Sequence, residues 1–119
     1  MPRSVPTSIK IRVRVTRGDE DAFGPGKAQL LESLMETGSL NRTASQMKMS
    51  YVKALALVRA MNAHFREPLI ALTRGGRQGG GTQVTEAGQK VLAEYHAMRE
   101  ASEAAALPAW KRLRALVKS

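Results

Sequence analysis

Apolar positions recur along this 119-residue chain with two different periods. From Ile9 to Val15 they alternate strictly, with Ile9, Ile11, Val13 and Val15 on one side and Lys10, Arg12 and Arg14 on the other. A period of two predicts a half-buried strand with a basic outer face. Those charges either protect an edge strand from aggregation or meet phosphate directly. Gly18 to Gly26 (GDEDAFGPG) reads as a turn-rich connection. From about Gly26 the period lengthens, and Leu30, Leu31, Leu34 and Met35 predict a helix running to about Thr37. Gly38 ends it, because glycine enters the left-handed conformation cheaply.

The stretch from Gly38 to Arg59 predicts two short helices joined by a tight turn. Ser39 caps the first, its hydroxyl accepting from an otherwise unpaired backbone N–H. Ala44 and Met47 share its inner face, with Ala44 small enough for a close crossing. Lys48 and Met49 make the turn, and Ser50 caps the second helix. Ala54, Leu57, Val58, Met61 and Phe65 form that helix's apolar side at spacings of three, four and seven. This is the pattern of a helix-turn-helix, although a plain helical hairpin in an all-α core has the same pattern. Tyr51, Val52, Lys53, Ala56 and Arg59 begin and line the outer face, which holds no acid. A merely solvated helix face usually mixes signs.

Glu67-Pro68 ends the second helix, since a residue before proline avoids the helical region. Leu69 to Arg74 predicts a short strand, Gly75 to Gly81 a flexible tip, and Thr82 to Thr85 a returning strand. Strand, tip and strand directly after a helix-turn-helix make a wing, with Arg74 at its base and Arg77 and Gln78 at its tip. Five glycines in the tip let the backbone approach a phosphate or a minor groove closely. Thr85 then caps a helix from Glu86 to about Ala106, striped by Val91, Leu92, Tyr95, Met98 and Ala105. One end of that stripe is expected to cover the domain's own core and the other to meet a second subunit. Leu107-Pro108 predicts a break, followed by a separate short basic amphipathic helix, Ala109 to Lys118.

Charge sharpens the picture. The net charge is +9, and it is unevenly spread. Residues 38–85 carry Arg42, Lys48, Lys53, Arg59, Arg66, Arg74 and Arg77 against Glu67 alone, whereas the acids Glu86, Glu94, Glu100 and Glu103 gather on the later helix. A basic surface separated in this way suits a polyanion. There is no cysteine, which excludes disulfides and thiol chemistry. No run of about 18 apolar residues suggests a membrane span. MPRSVPTSIKIRV lacks the apolar centre of a secretory signal, so a cytoplasmic location is expected.

The quoted motifs carry a resemblance. GSL-x4-S-x3-MSY at 38–51 and GG-x2-GGG-x2-VTEAGQ-x-V at 75–91 resemble the N-terminal DNA-binding domain of the molybdate-responsive ModE regulators. More broadly, the chain is similar to the winged helix-turn-helix of LysR-type regulators, over about residues 9–106. The resemblance implies a homodimeric winged helix whose long helix after the wing contributes to dimerisation. It also implies that Ser50, Tyr51 and Lys53 start the reading helix and that Arg74 and Arg77 lie on the wing. The family often has lysine directly after the serine-tyrosine pair; here Val52 stands there and Lys53 follows. ModE proteins hold molybdate in C-terminal domains with a Ser-Ala-Arg-Asn-Gln-like motif, which this sequence does not contain.

Other chemistry is weaker. Gly75, Gly80 and Thr82 match part of a phosphate-binding loop, but Gly81 stands where its lysine belongs. His64 and His96 are far apart and lack the clustered ligands of a metal site. Asp19, Glu20 and Asp21 lack the liganding pattern of a calcium loop. No serine, histidine and acid form a hydrolase motif. The expected protein is mainly α with a small β-sheet: a disordered arm at 1–8, a winged helix-turn-helix at 9–85, and a dimerisation helix with a short C-terminal helix at 86–119. It is expected to be a non-enzymatic, cytoplasmic, sequence-specific regulator of transcription without a molybdate-binding domain, metal or cofactor. Its expected partners are double-stranded DNA and a second copy, with an unidentified effector or partner protein left open and no membrane. A nucleoid-type or adaptor protein of the same fold and an RNA-binding winged helix are the alternatives. The expected DNA-binding residues are Ser50, Tyr51, Lys53, Ala56, Arg59, Arg42, Arg74, Arg77 and Gln78. The expected dimer residues are Val91, Tyr95, Met98 and Ala105.

Overall fold

The computed structural model describes residues 5–73 and 81–118. Its elements run β1 (Val15–Arg17), β2 (Glu20–Phe23), α1 (Pro25–Thr37), α2 (Leu40–Gln46), α3 (Tyr51–His64), β3 (Ile70–Leu72), β4 (Thr82–Val84) and α4 (Glu86–Arg114). The fold is mainly helical. Its strands form two separate antiparallel pairs, β1–β2 and β3–β4, rather than one sheet.

The N-terminal alternation is only partly a strand. Residues 5–14 are extended but unpaired, and the ladder with β2 begins only at Val15. From Ile11 on the faces follow the alternation: Ile11, Val13 and Val15 are half-buried while Lys10, Arg12 and Arg14 are exposed; Ile9, expected on the inner side, is exposed. Period two reports an extended backbone against a surface; a ladder also needs a neighbouring strand. Here the surface is α4, whose Tyr95 hydroxyl donates to the Val13 carbonyl at 2.8 Å. The partner strand, β2, lies inside the stretch expected to be a loop. It pairs Arg17 with Glu20 and Val15 with Phe23 across a bulge, and buries Ala22 and Phe23.

Local signals fix the three inner helices. Gly38 ends α1 at φ 63°, and its N–H donates to the Leu34 carbonyl. Ser39 caps α2 by accepting from the Arg42 N–H at 3.2 Å, and Ser50 caps α3 by accepting from Lys53 at 3.1 Å. Between them the chain turns through Lys48, a non-glycine residue at φ 56°. α3 stops at His64, three residues before the Glu67-Pro68 signal, because Phe65 turns extended and packs edge-on against Phe23. Thr43, fully buried, is satisfied by the hydroxyls of Ser33 and Thr37, which tie α2 to α1.

One core joins these elements. Leu30, Leu31 and Leu34 of α1 meet Leu40 and Ala44 of α2, Ala54, Val58 and Met61 of α3, Leu69, Ile70, Val84, and Leu92 and Tyr95 of α4. Of the expected core positions, Met35 is exposed, and Leu57 is half-buried at the core's edge, packed against it where it borders a cleft lined by Lys53, Met47 and Met49.

α4 is one continuous helix of 29 residues with Pro108 inside it. The expected break at Leu107-Pro108 and the separate helix from Ala109 are therefore corrected. Alanine, leucine, lysine and arginine flank the proline, all strong helix formers, and on an exposed helix the carbonyl freed by the missing N–H can bond water. The start of α4 is held tightly. Thr85 donates through its hydroxyl to the Pro68 carbonyl and accepts from the Gly88 N–H, while its own N–H donates to Leu69. A Cβ at Gly88 would overlap the Leu69 carbonyl oxygen and lie 2.8 Å from Val84 Cγ1. The helix thus crosses the β3 end at a distance that only glycine permits.

Candidate nucleic-acid interface

The sequence of α3 determines which of its faces is free. Ala54, Val58 and Met61 are buried, so the opposite side carries Val52, Ala56, Ala60 and Ala63, all exposed. Val52 is 76% exposed on this small-residue ridge. Lys53 flanks the ridge on one side, while Arg59 and Tyr51 flank it on the other. Of the expected DNA-binding residues, Ser50, Tyr51, Lys53, Ala56 and Arg59 share this helix and its start, and Arg42 is exposed on α2. Arg74, Arg77 and Gln78 lie outside the described residues.

Two clefts border the ridge. On the Lys53 side, Lys53, Arg14 and Lys27 gather with Met47, Met49 and Leu57 around a cleft of about 300 Å³. Asp21 sits among these cations, 3.3 Å from Arg14, and its carbonyl accepts from Lys27. On the other side, Tyr51, Leu55 and Arg59 face Leu72, Thr73, Gly81 and Thr82 of the β3–β4 hairpin across a groove of about 470 Å³ closed by Ser39, Leu40 and Asn41. Thr73 locks the hairpin base: its N–H and hydroxyl donate to the Gly81 carbonyl, and its hydroxyl accepts from the Gly81 N–H.

The hairpin is tied to α3 by one side chain that the sequence did not single out. Asn62 accepts through Oδ1 from the N–H groups of Leu69 and Ile70, and its amide donates to the Ile70 carbonyl. It thus fixes the angle between the ridge and β3. Asn41 and Thr82 were also missed; each is an ordinary polar residue in sequence, and only the fold brings them to one groove. At the far end of α3, Arg17 donates to the Ala63 carbonyl at 3.4 Å, a cation where the helix dipole is negative. His64 Nε2 lies 3.0 Å from Glu20, and its Nδ1 faces Arg17. Two acids of the Asp19–Asp21 cluster are thereby engaged with Arg14 and His64, as hairpin ties.

The expected dimer residues divide. Tyr95 is 3% exposed and stacks edge-on against Phe23, inside its own core. It is therefore withdrawn from any face available to a partner. Val91 is half-buried, and Met98 and Ala105 are exposed. Val91 and Met98 line an open groove of about 890 Å³ over Phe23, Phe65 and Tyr95. Beyond Met98, exposed Ala105, Ala109 and Leu113 continue that side of the helix at spacings of seven and four, with Lys111, Arg112 and Arg114 in its last turn and exposed Leu116 and Val117 just past its end; Leu107 is exposed on the opposite side. No helix among the described residues is long and apolar enough to cross a membrane.

Known proteins resemble this chain over part of their length. It is 40% identical over 77 residues to the molybdenum transport protein ModE of Azotobacter vinelandii, covering 65% of this chain and 28% of that protein. Over 79 residues it is 33% identical to the transcriptional regulator ModE of Haemophilus influenzae, covering 66% of this chain and 31% of that protein. Over 76 residues it is 36% identical to the molybdenum-pterin-binding protein MopB of Rhodobacter capsulatus, covering 64% and 28%. No family model matches the chain. The chain thus matches less than a third of the length of these relatives, and over that shared stretch it is similar to ModE-type regulators.

Proposed function

We propose that this chain is a DNA-binding module of a ModE-like transcriptional regulator, built as a winged helix-turn-helix. In this reading α3 is the helix that enters the major groove, α2 crosses the backbone, and the β3–β4 hairpin is the wing. The observation that carries it is the outer face of α3: a ridge of valine and alanine, flanked by Lys53 and Arg59, with no acid. Small apolar side chains fit a groove floor and meet thymine methyl groups, while the flanking cations neutralise phosphate. The relatives' names add transcription regulation; the molybdenum in those names stays with those proteins.

The same reading makes the protein a dimer through α4. The exposed apolar strip of the distal helix cannot fold back onto the groove at Val91 and Met98, because the helix is continuous. Val91 and Leu113 are about 33 Å apart along it. A second copy lying antiparallel, with its two-fold near Ser102, sets Leu113 of one copy opposite the partner's Val91 and brings Lys111 beside the partner's Glu94. The alanine-rich centre, Ala101 and Ala104 to Ala106, permits the close approach. Two reading helices then fall roughly 34 Å apart or a multiple of it.

The test is duplex binding at several salt concentrations, compared between genomic fragments selected by the protein and random duplex. A selected site bound at least ~10³-fold more tightly than random sequence supports a specific regulator. Equal binding to all duplexes favours the nucleoid-type alternative, toward which the donor-poor ridge points. Preference for single-stranded RNA overturns both.

A further inference from the structure

The larger concave regions of the described surface differ in charge. The groove over Phe23 and Phe65 sets Glu67, Glu86 and Glu94 beside Arg66 and Lys90; the one under residues 9–12 sets Glu32 and Glu103 beside Lys10, Arg12 and Arg99; the cleft beside Lys53 sets Asp21 among Arg14, Lys27 and Lys53. The groove between α3 and the β3–β4 hairpin has no acidic side chain among the described residues that line it. Its walls offer donors instead: the Asn41 amide, the Tyr51 hydroxyl, the Arg59 guanidinium and the Thr82 hydroxyl.

We infer that this groove seats one sugar-phosphate strand of a bound duplex, with Asn41, Tyr51 and Thr82 hydrogen-bonding its backbone and Arg59 neutralising it. The inference rests on the DNA-binding reading above and extends it. It makes Tyr51 a backbone anchor, where the sequence suggested a base reader. Three features support the assignment. First, Tyr51, Leu55 and Arg59 follow one another at intervals of four along the hairpin side of α3, not along its outermost ridge. A side chain there meets the edge of a groove, where phosphates lie, before it meets base edges. Second, the walls alternate donors with Leu40, Leu55 and Leu72, and a nucleic-acid strand likewise alternates anionic phosphate with apolar deoxyribose. Asparagine, tyrosine and threonine are ordinary phosphate ligands. Third, the far wall is rigid. Thr73 spends its hydroxyl on Gly81 and Asn62 bonds β3, so the Thr82 side of the groove keeps a set distance from α3. A phosphate seat of fixed width positions the duplex without reading it.

The experiment uses the full chain and a 24-bp duplex of mixed sequence, followed by fluorescence anisotropy at several potassium chloride concentrations. Tyr51→Phe, Thr82→Val and Asn41→Ala each remove one donor, and Lys53→Ala, outside the groove, reports on DNA binding as such. The expected result is a roughly threefold to tenfold loss for each groove variant, equal across duplexes of different sequence. Arg59→Gln should flatten the salt dependence by about one unit of slope. The Asn41 side-chain amide should also move in 15N spectra of the native protein when duplex is added. If Lys53→Ala weakens binding while the three groove variants stay within about twofold of the native chain, the strand lies elsewhere and the DNA reading survives. If Tyr51→Phe changes which bases are preferred, Tyr51 is a reader and its assignment here is overturned. If Lys53→Ala and all groove variants bind as the native chain does, the DNA-binding reading fails with it.

Discussion

The two halves of α4 share one helix and obey different physics. The proximal half, up to about Met98, is fixed by tertiary contacts: the Thr85 cap, the Gly88 crossing, and buried Leu92 and Tyr95. The distal half is held by its own hydrogen bonds and propensities. Of residues 100–118, only Ser102, Ala106 and Trp110 are even half-buried. Helicity alone therefore does not say what a segment is for. The proximal half is part of the core that orients α3, while the distal half is an apolar and basic surface that an isolated chain leaves open. Isolated helices of this length are marginal in water, so the distal half should be the first part of the molecule to open and the part that a partner would stabilise most.

The largest effect should come from the proximal half. Tyr95→Ala removes a ring packed on Phe23 and the hydroxyl bonded to Val13. It should destabilise the fold by roughly 3–5 kcal/mol, as large aromatic truncations in cores do. Chemical denaturation measures this, and a loss below about 1 kcal/mol would mean that α4 packs on the core less firmly than its contacts indicate. Tyr95→Phe should lose only the bond to Val13, about 1 kcal/mol. Gly88→Ala comes next. Its new methyl group meets a backbone carbonyl that cannot rotate away, and overpacking of this kind costs about 1–3 kcal/mol. An unchanged melting temperature would show that the α4 crossing can slide.

These contrasts show what could be read in advance. The caps at Ser39, Ser50 and Thr85 and the stop at Gly38 were legible because each is a bond between residues no more than four apart. The alternation assigned the faces of the chain correctly from Ile11 to Val15 but not the ladder, because the partner of Val15 is set by a hairpin whose second strand begins with Glu20 and Asp21, directly after Asp19. The end of α3 was misplaced because Phe65 leaves the helix to reach Phe23, a contact 42 positions away that local signals do not encode. Pro108 misled for the opposite reason: the local rule was strong, and the surrounding helix formers were stronger. Of the candidate interface, the start and ridge of α3 were legible from periodicity. Asn41, Asn62 and Thr82 were not, since their roles depend on the β3–β4 hairpin meeting α3.

Distal substitutions sharpen the comparison from the other side. Leu113→Ser removes an exposed leucine, so the stability of dilute monomer should change by no more than about 0.5 kcal/mol. The same change should weaken self-association strongly if the strip is the dimer surface. Sedimentation at tens of micromolar measures it. Equal association of both forms would remove the distal strip from the dimer and leave its apolar face to a different protein.

The smallest shift in folding stability should come from Pro108→Ala, and it separates the halves most cleanly. Proline inside a helix removes one backbone bond and crowds the preceding turn, costing about 3 kcal/mol where the helix must stay formed. If the distal half were one cooperative unit with the core, the alanine variant would recover much of that cost, and the melting temperature would rise by several degrees. The two halves should instead respond separately. The distal turns can open while the core stays folded, so the gain appears locally. Far-UV ellipticity should become more helical, and amides from about residue 104 to 114 should exchange more slowly with deuterium. The global transition should move by only a degree or so, since the unfolding of the core does not wait for these turns. Alanine in place of the proline should also straighten the distal helix. A large rise in melting temperature at protein concentrations where the chain is monomeric would mean that the whole of α4 folds as one unit, and that its exposed half is held by the domain rather than reserved for a second copy.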